Sequence, residues 1–256
     1  RGRNVYNETG GYAFDSSGRL LHWSGLWPST AEGNAVIELQ YVQGNPAYRW
    51  YTESKQLISS DVDRRSLVVK QADENIGLLV ATKNKDSYCF GFYRSIGATM
   101  LKKVNTDINL GSGNFQMLDY NDSTLTMIYS KRRISLYTDA MFKFYKLNYN
   151  YITKAIEETH LADLSSAEML STHWFAALSK KQELDININR YILSYRDGKW
   201  TTIAGNGVYG SNIDYKEFHP IRAMQHINGN LVLLEEFKGL SSYHKPHLKL
   251  KTIIKE

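Results

Sequence analysis

His244 and His247 stand three residues apart in His244-Lys245-Pro246-His247, a spacing that two metal ligands can use. Zinc also needs a third and a fourth donor, with a layer of hydrogen bonds behind them. Pro246 rules out a helix at this point. No cysteine or carboxylate pair accompanies the two histidines, so the expectation is no metal site. The acid pairs Asp61/Asp63 and Glu235/Glu236 are candidates for glycosidic bond hydrolysis. That chemistry uses two carboxyl groups about 5–10 Å apart across a cleft. Sequence spacing does not place acids across a cleft, and Asp61-Val62-Asp63-Arg64-Arg65 reads more simply as a charged turn. For nucleophilic catalysis there is no Gly-x-Ser-x-Gly elbow. The single cysteine, Cys89, lies in the apolar run Tyr88-Cys89-Phe90-Gly91-Phe92, where a buried, inert thiol is expected. No catalytic, cofactor-binding or metal residue is therefore assigned, and the reading leans away from an enzyme.

Other motifs are weaker. Gly205-Asn206-Gly207-Val208-Tyr209-Gly210 fits GxGxxG. A dinucleotide site would need a helix N-terminus to hold the pyrophosphate. The following Ser211-Asn212-Ile213-Asp214-Tyr215 is not helical, so a loop is expected and no cofactor is implied. Trp23, Trp27 and Trp50 are the aromatics that could stack on a sugar, and core packing is the simpler expectation for each. Asn7-Glu8-Thr9 and Asn121-Asp122-Ser123 are N-glycosylation sequons, meaningful only in a eukaryotic secretory protein. Lys131-Arg132-Arg133 is the densest basic cluster and reads as a solvated turn between strands. The formal net charge is +5, spread along the chain. With no aromatic-basic RNA-binding motif, this argues against a nucleic-acid partner.

The elements that must position these residues are strands. The chain has 256 residues, 42% hydrophobic and 22% charged, which suits a folded domain. Tyr is frequent at 18 and Pro scarce at 4, a bias toward pleated surfaces. Short aromatic or β-branched runs recur at 36–42, 67–70, 78–82, 88–93, 115–120, 125–130, 134–138 and 142–148. Further runs lie at 173–179, 190–195, 200–203, 221–227, 231–237 and 248–254. Asn228-Gly229 and Asp197-Gly198 sit between such runs and supply the positive-φ pair of a two-residue hairpin turn. Lys83-Asn84-Lys85-Asp86 and Asn121-Asp122-Ser123 are turn-like as well. One helix is expected, over Asp163–Leu170, with Ser165 or Ser166 as its cap and Glu168 behind. Residues 142–158 read either as one long strand or as a strand followed by a helical turn.

Strand-turn-strand units begin near 36, 77, 115, 173 and 220. That spacing is what four-stranded propeller blades produce. The expected fold class is all-β: antiparallel hairpin repeats forming a β-propeller of about five blades, with one short helical insertion. A β-sandwich or an open β shell is the alternative. A lone sheet of this kind leaves an apolar face bare, so each must cover the next. Trp200, just after the Asp197-Gly198 turn, is expected to pack between blades. No apolar run approaches 18 residues, so no membrane span is expected.

Tyr12-Ala13-Phe14-Asp15-Ser16-Ser17-Gly18-Arg19-Leu20 resembles a YD repeat, with Phe14 where the pattern has Tyr. The resemblance points to the Rhs/YD-repeat and Tc-toxin B-component families, whose repeats build a β shell around a toxic cargo. In such a unit Asp15 through Gly18 makes the turn, the aromatics face the sheet and Arg19 lies on the solvent side. The resemblance covers nine residues and implies a secreted or cell-surface location.

These expectations converge on residues 1–256 as a single β-rich domain of a larger protein; the chain opens on Arg1-Gly2-Arg3 and shows no signal peptide. The expected role is a non-catalytic scaffold or binding domain of a bacterial secreted toxin or surface protein. Its partners would be other domains or subunits of an assembly, or a protein or glycan ligand. The alternatives are a glycoside hydrolase on a five-bladed propeller and a propeller lectin.

Overall fold

The computed structural model describes residues 7–27, 36–42, 47–52, 62–71, 75–84, 87–97, 100–109, 114–134, 140–166, 174–188, 191–205, 221–237 and 247–253. Every regular element among them is a strand. The strands fall into five consecutive groups: β1–β4 from Asn7 to Thr52, β5–β8 from Val62 to Asn109, β9–β12 from Phe115 to Ser166, β13–β16 from Trp174 to Ala204, and β17–β19 from Ile221 to Ile253. Within each group, strands that follow one another in sequence are neighbours in the sheet. Each group is one antiparallel sheet, and the first two are joined edge to edge by a short parallel pairing, Tyr51 with Met100 and Thr52 with Leu101. Five antiparallel sheets in succession are the secondary-structure plan of a five-bladed β-propeller, and the all-β expectation is met. Among the described residues the fifth sheet has three strands where the others have four.

The hairpin corners behave as their residues require. Asn228 and Gly229 sit at φ 51° and 84° between β17 (Ile221–Ile227) and β18 (Asn230–Phe237). Asp197 and Gly198 sit at φ 48° and 77° between β15 (Tyr191–Arg196) and β16 (Lys199–Ala204). Both pairs are positive at both positions, as a type I′ turn demands.

The helix expected over Asp163–Leu170 is not there. Asp163–Ser166 closes β12 (Ile156–Ser166), and residues 167–170 lie outside the described set. The period decides it: Ala162 and Leu164 are buried while Asp163 and Ser165 are exposed, a two-residue alternation that overrides the capping pattern. The ambiguous stretch resolves as a hairpin. β11 (Ala140–Asn150) turns at 151–155 into β12, with the Asn150 side-chain oxygen accepting the Ile152 and Thr153 amides. Lys131-Arg132-Arg133 is not a turn either; it lies inside β10 (Thr124–Ile134). Nor is Val62–Arg65, which opens β5 (Val62–Gln71).

The chain divides into two compact units. The first comprises Arg1–Ser112, Met117–Met127 and Asn148–Glu157. Its core holds Leu21, Trp23, Leu39, Leu67, Ile76, Leu78 and Leu101. Here β1 (Asn7–Phe14) lies against β5, and the Ser66 hydroxyl accepts the Met117 amide. Gly77 on β6 (Asn75–Asn84) is required by a close approach: a Cβ there would stand 2.6 Å from the Tyr120 ring. The second unit comprises Gly113–Gln116, Ile128–Leu147 and Glu158–Glu256. In it the Gln116 carboxamide, on β9 (Phe115–Tyr120), donates to the Ala176 carbonyl and accepts the Ala176 amide, each at 2.8 Å. That side chain imitates a ladder rung to β13 (Trp174–Leu178). β13 in turn lies against β17.

Candidate functional site

Two polar clusters lie among the described residues of the second unit. The first is buried. All five residues of β14 (Leu184–Ile188) are buried, including Asp185 and Asn187. Strand alternation puts Leu184, Ile186 and Ile188 on one face and the two polar residues on the other. Cross-strand register sets Asp185 beside Ala177 and Ser194, and Asn187 beside Phe175 and Ile192. Ala177 and Ile192 belong to the apolar cluster with Ile221, Met224, Leu231 and Leu233, so the Asp185 face is the one packed on the fifth sheet. From that sheet His226 reaches Asp185, with Nε2 2.7 Å from Oδ2. The short contact to a carboxylate places the proton on Nε2, donating to Asp185. Glu235, fully buried on β18, accepts from Lys251 at 3.0 Å. His226 Nδ1, Ser194 Oγ and Glu235 Oε2 are buried without a hydrogen-bond partner among the described residues.

The second cluster is a strip on the third sheet whose charged groups reach the surface while the Tyr129 ring is buried at its base. Tyr129 and Lys131, two apart on β10, share a face. The Tyr129 hydroxyl donates to Glu158 on β12, and Lys131 Nζ lies 3.1 Å from the same carboxylate. The Tyr129 and Tyr145 rings stack at 5.5 Å with a 27° interplanar angle. Lys131 Nζ stands 4.4 Å from the Tyr145 centroid and 5.3 Å from that of Tyr129. Tyr145 meets His160 edge-on, and His160 contacts Asp163 at 2.6 Å. Lys143 lies 3.8 Å from Asp163 on the other side.

Electrostatics within the strip are coupled. Burial, then the hydrogen bond to Glu158, push the Tyr129 phenol up to about 12. Hydrogen bonding to Tyr129, and then the Glu158 carboxylate, hold the Lys131 ammonium above its usual value against burial. Burial alone would raise the Glu158 carboxyl, but the Tyr129 and Lys131 hydrogen bonds and the Lys131 charge outweigh it and hold it low. The strip therefore presents the Lys131 ammonium, the Glu158 carboxylate and the protonated Tyr129 phenol at neutral pH, beside the Tyr145 ring.

The residues singled out by sequence scatter. Glu235 and Glu236 are strand neighbours with different partners, Lys251 and Arg222, and so point to opposite faces instead of across one cleft. Asp61 lies outside the described residues, and Asp63 lies on β5. Trp23 is a core residue. Trp27 and Trp50 lie on β2 (Leu20–Trp27) and β4 (Ala47–Thr52), with side chains outside the described set. Trp200 packs as expected: its Nε1 donates to the Asp163 carbonyl of the third sheet and its ring meets Phe144. Gly205 ends the described part of the glycine run, His244 lies outside it, and His247 opens β19 (His247–Ile253). Cys89 on β7 (Ser87–Ile96) is a free, half-buried thiol. Asp15 proves to be a turn organiser. Its Oδ1 accepts the Ser17 amide and hydroxyl and the Arg19 amide, while Oδ2 faces Arg19 Nε at 2.8 Å. Gly18 sits at φ 82° and Arg19 is half exposed. Sequence reasoning missed β14, because Asp and Asn argue against a strand, and with it the Asp185–His226 pair.

No protein-family model matches this chain, and no curated protein matches it. Among solved structures, an α-L-arabinofuranosidase from Fusarium graminearum in complex with an iminosugar inhibitor aligns with a TM-score of 0.46. The identity is 10%, over 98% of this chain and 77% of that one, which carries over no residue correspondence.

Proposed function

We propose that this chain is a non-catalytic binding or scaffold domain of a larger secreted or surface protein, and that its contact surface is the strip Tyr129, Lys131, Tyr145, Glu158 and His160. One observation carries the reading. The described acids buried deepest are already engaged, Asp185 by His226, Glu235 by Lys251 and Asp15 by its own turn. The charged groups of the strip, Lys131, Glu158 and His160, by contrast, reach solvent, with the Tyr145 ring half-buried and the Tyr129 ring buried beside them. Aromatic faces beside paired charges suit a protein or glycan surface, giving orientation through hydrogen bonds and area through rings.

The competing reading is a glycoside hydrolase on a five-bladed propeller. It needs one acid free to protonate a leaving group and another to attack or to activate water. Incubating the purified chain with aryl glycosides and oligosaccharides of several sugar types separates the two. The expected outcome is no turnover, with retained glycan or protein ligands lost in Tyr145→Ala. Turnover abolished by Asp185→Asn or Glu235→Gln would overturn the proposal.

A further inference from the structure

The strip on the third sheet has the parts of a cation site, and the cation it holds is the chain's own. Two tyrosine rings, Tyr145 half-buried and Tyr129 buried beside Lys131, turn their negative quadrupole toward positive charge. Glu158 adds a formal negative charge, fixed in place by the Tyr129 hydroxyl. Lys131 fills the space between them from the end of a flexible stem, 4.4 Å from one ring centre and 3.1 Å from the carboxylate. Its side chain is 47% exposed, so it sits at the mouth of the site with open solvent to swing into.

The chemistry of the three walls says which cation fits. A primary ammonium has three N–H donors and is strongly hydrated. Aromatic faces do not replace that water well. A methylated ammonium has fewer donors or none, sheds its water at lower cost and presents C–H groups to the rings. We propose that Tyr129, Tyr145 and Glu158 form a recognition site for an alkylammonium group, a quaternary ammonium or an N-methylated lysine borne by a partner, with Lys131 as an internal placeholder that the ligand displaces. This deepens the reading of the strip as the contact surface and names the ligand class.

Tetramethylammonium chloride is the probe, titrated into the full chain against sodium chloride at equal ionic strength and followed by tyrosine fluorescence and ligand-detected NMR. Lys131→Ala should bind it saturably with a Kd on the order of millimolar. The wild-type chain should bind about tenfold more weakly, because Lys131 competes. Tyr145→Leu in the Lys131→Ala background should abolish saturation, and Glu158→Gln should weaken binding. Linear, unsaturable responses in Lys131→Ala, or equal binding with and without Tyr145, overturn the proposal.

A second readout needs no variant. The Lys131 Hε resonances of the wild-type chain should be shifted upfield by the two rings and should move back toward free-lysine values as tetramethylammonium is added. Resonances that never move overturn the proposal even if Lys131→Ala does not fold. If tetramethylammonium binds while no protein or glycan is retained, the cation site stands and the broader contact-surface reading falls. The reverse pattern removes the cation site alone.

Discussion

Asp185 with His226, and Glu158 with Lys131, each join a carboxylate to a nitrogen base at comparable distances, 2.7 Å and 3.1 Å, in opposite surroundings. The Asp185 side chain has no exposure and His226 retains 11%. Glu158 and Lys131 retain 33% and 47%. In the buried pair each partner satisfies a charge or dipole that water cannot reach. Removing one therefore leaves the other stranded. In the exposed pair water stands ready to replace either partner, so the pair is exchangeable. The buried cluster belongs to the stability of the fourth and fifth sheets, and the exposed one is the surface we propose for recognition.

The largest expected effect tests the buried side of this contrast. Asp185→Ala should destabilise the chain by about 3–5 kcal/mol, since it strands His226 against an apolar wall. Glu235→Ala should act similarly through Lys251, with the lower end of that range expected because Lys251 can reach solvent. Urea denaturation read by tryptophan fluorescence measures both. Replacing Asp185 and His226 together by Leu and Phe should recover most of the loss, because both polar groups then leave the interior. If Asp185→Ala costs under about 1 kcal/mol, the pair is solvated and the contrast collapses.

An apolar control of intermediate size sharpens the comparison. Gly77→Ala places a methyl 2.6 Å from the Tyr120 ring and should cost about 1–3 kcal/mol through overpacking alone. Tyr120→Leu should relieve it, so the double variant should lose less than the two single losses added. Additive losses would show that the ring moves aside freely.

The hairpins were legible wherever Asn-Gly or Asp-Gly forced a positive-φ pair, as at Asn228-Gly229 and Asp197-Gly198, because that constraint is local. The five sheets followed from the recurrence of such hairpins. β14 was not legible, since Leu184-Asp185-Ile186-Asn187-Ile188 owes its strand state to burial between two neighbours and not to propensity. Lys131-Arg132-Arg133 misled for the same reason: a charged triplet looks like a turn until the adjoining strand carries it through the sheet. The Tyr129–Lys131–Tyr145–Glu158 strip joins three successive strands, and which of their residues meet depends on cross-strand register, which no spacing rule supplies. The Asp185–His226 pair spans two sheets and was equally hidden.

Asp15 lies between the two extremes, with a buried carboxylate and a half-exposed arginine. Asp15→Ala should cost about 1–2 kcal/mol by freeing the Ser17 and Arg19 amides and opening the turn. Burial raises this carboxyl, but the Arg19 amide, the Ser17 hydroxyl and the Arg19 guanidinium together hold it below its ordinary 3.8. A carboxyl depressed on folding stabilises fully above its unfolded value, and that contribution disappears as pH falls through the folded one. The wild-type chain should therefore lose stability relative to Asp15→Ala as acid is added below about pH 4. A gap between the two proteins that stays constant from pH 7 to pH 2 would mean that the turn is held by backbone geometry alone.

The smallest effect belongs to the exposed strip. Tyr129→Phe keeps the ring over Lys131 and removes only the hydroxyl that donates to Glu158. The loss should stay under about 1 kcal/mol, because water can reach the carboxylate in place of the phenol. Its pH signature has the opposite sign to that of Asp15. A phenol raised on folding stabilises fully below its ordinary 10.0, and the contribution is lost as pH climbs toward about 12. Wild type should thus lose stability relative to Tyr129→Phe in thermal melts as the pH rises above about 10, while differing slightly at neutrality. A loss of several kcal/mol at pH 7 would place this hydroxyl with Asp185 among the groups that hold the sheets together, and the strip could not then be given up to a ligand.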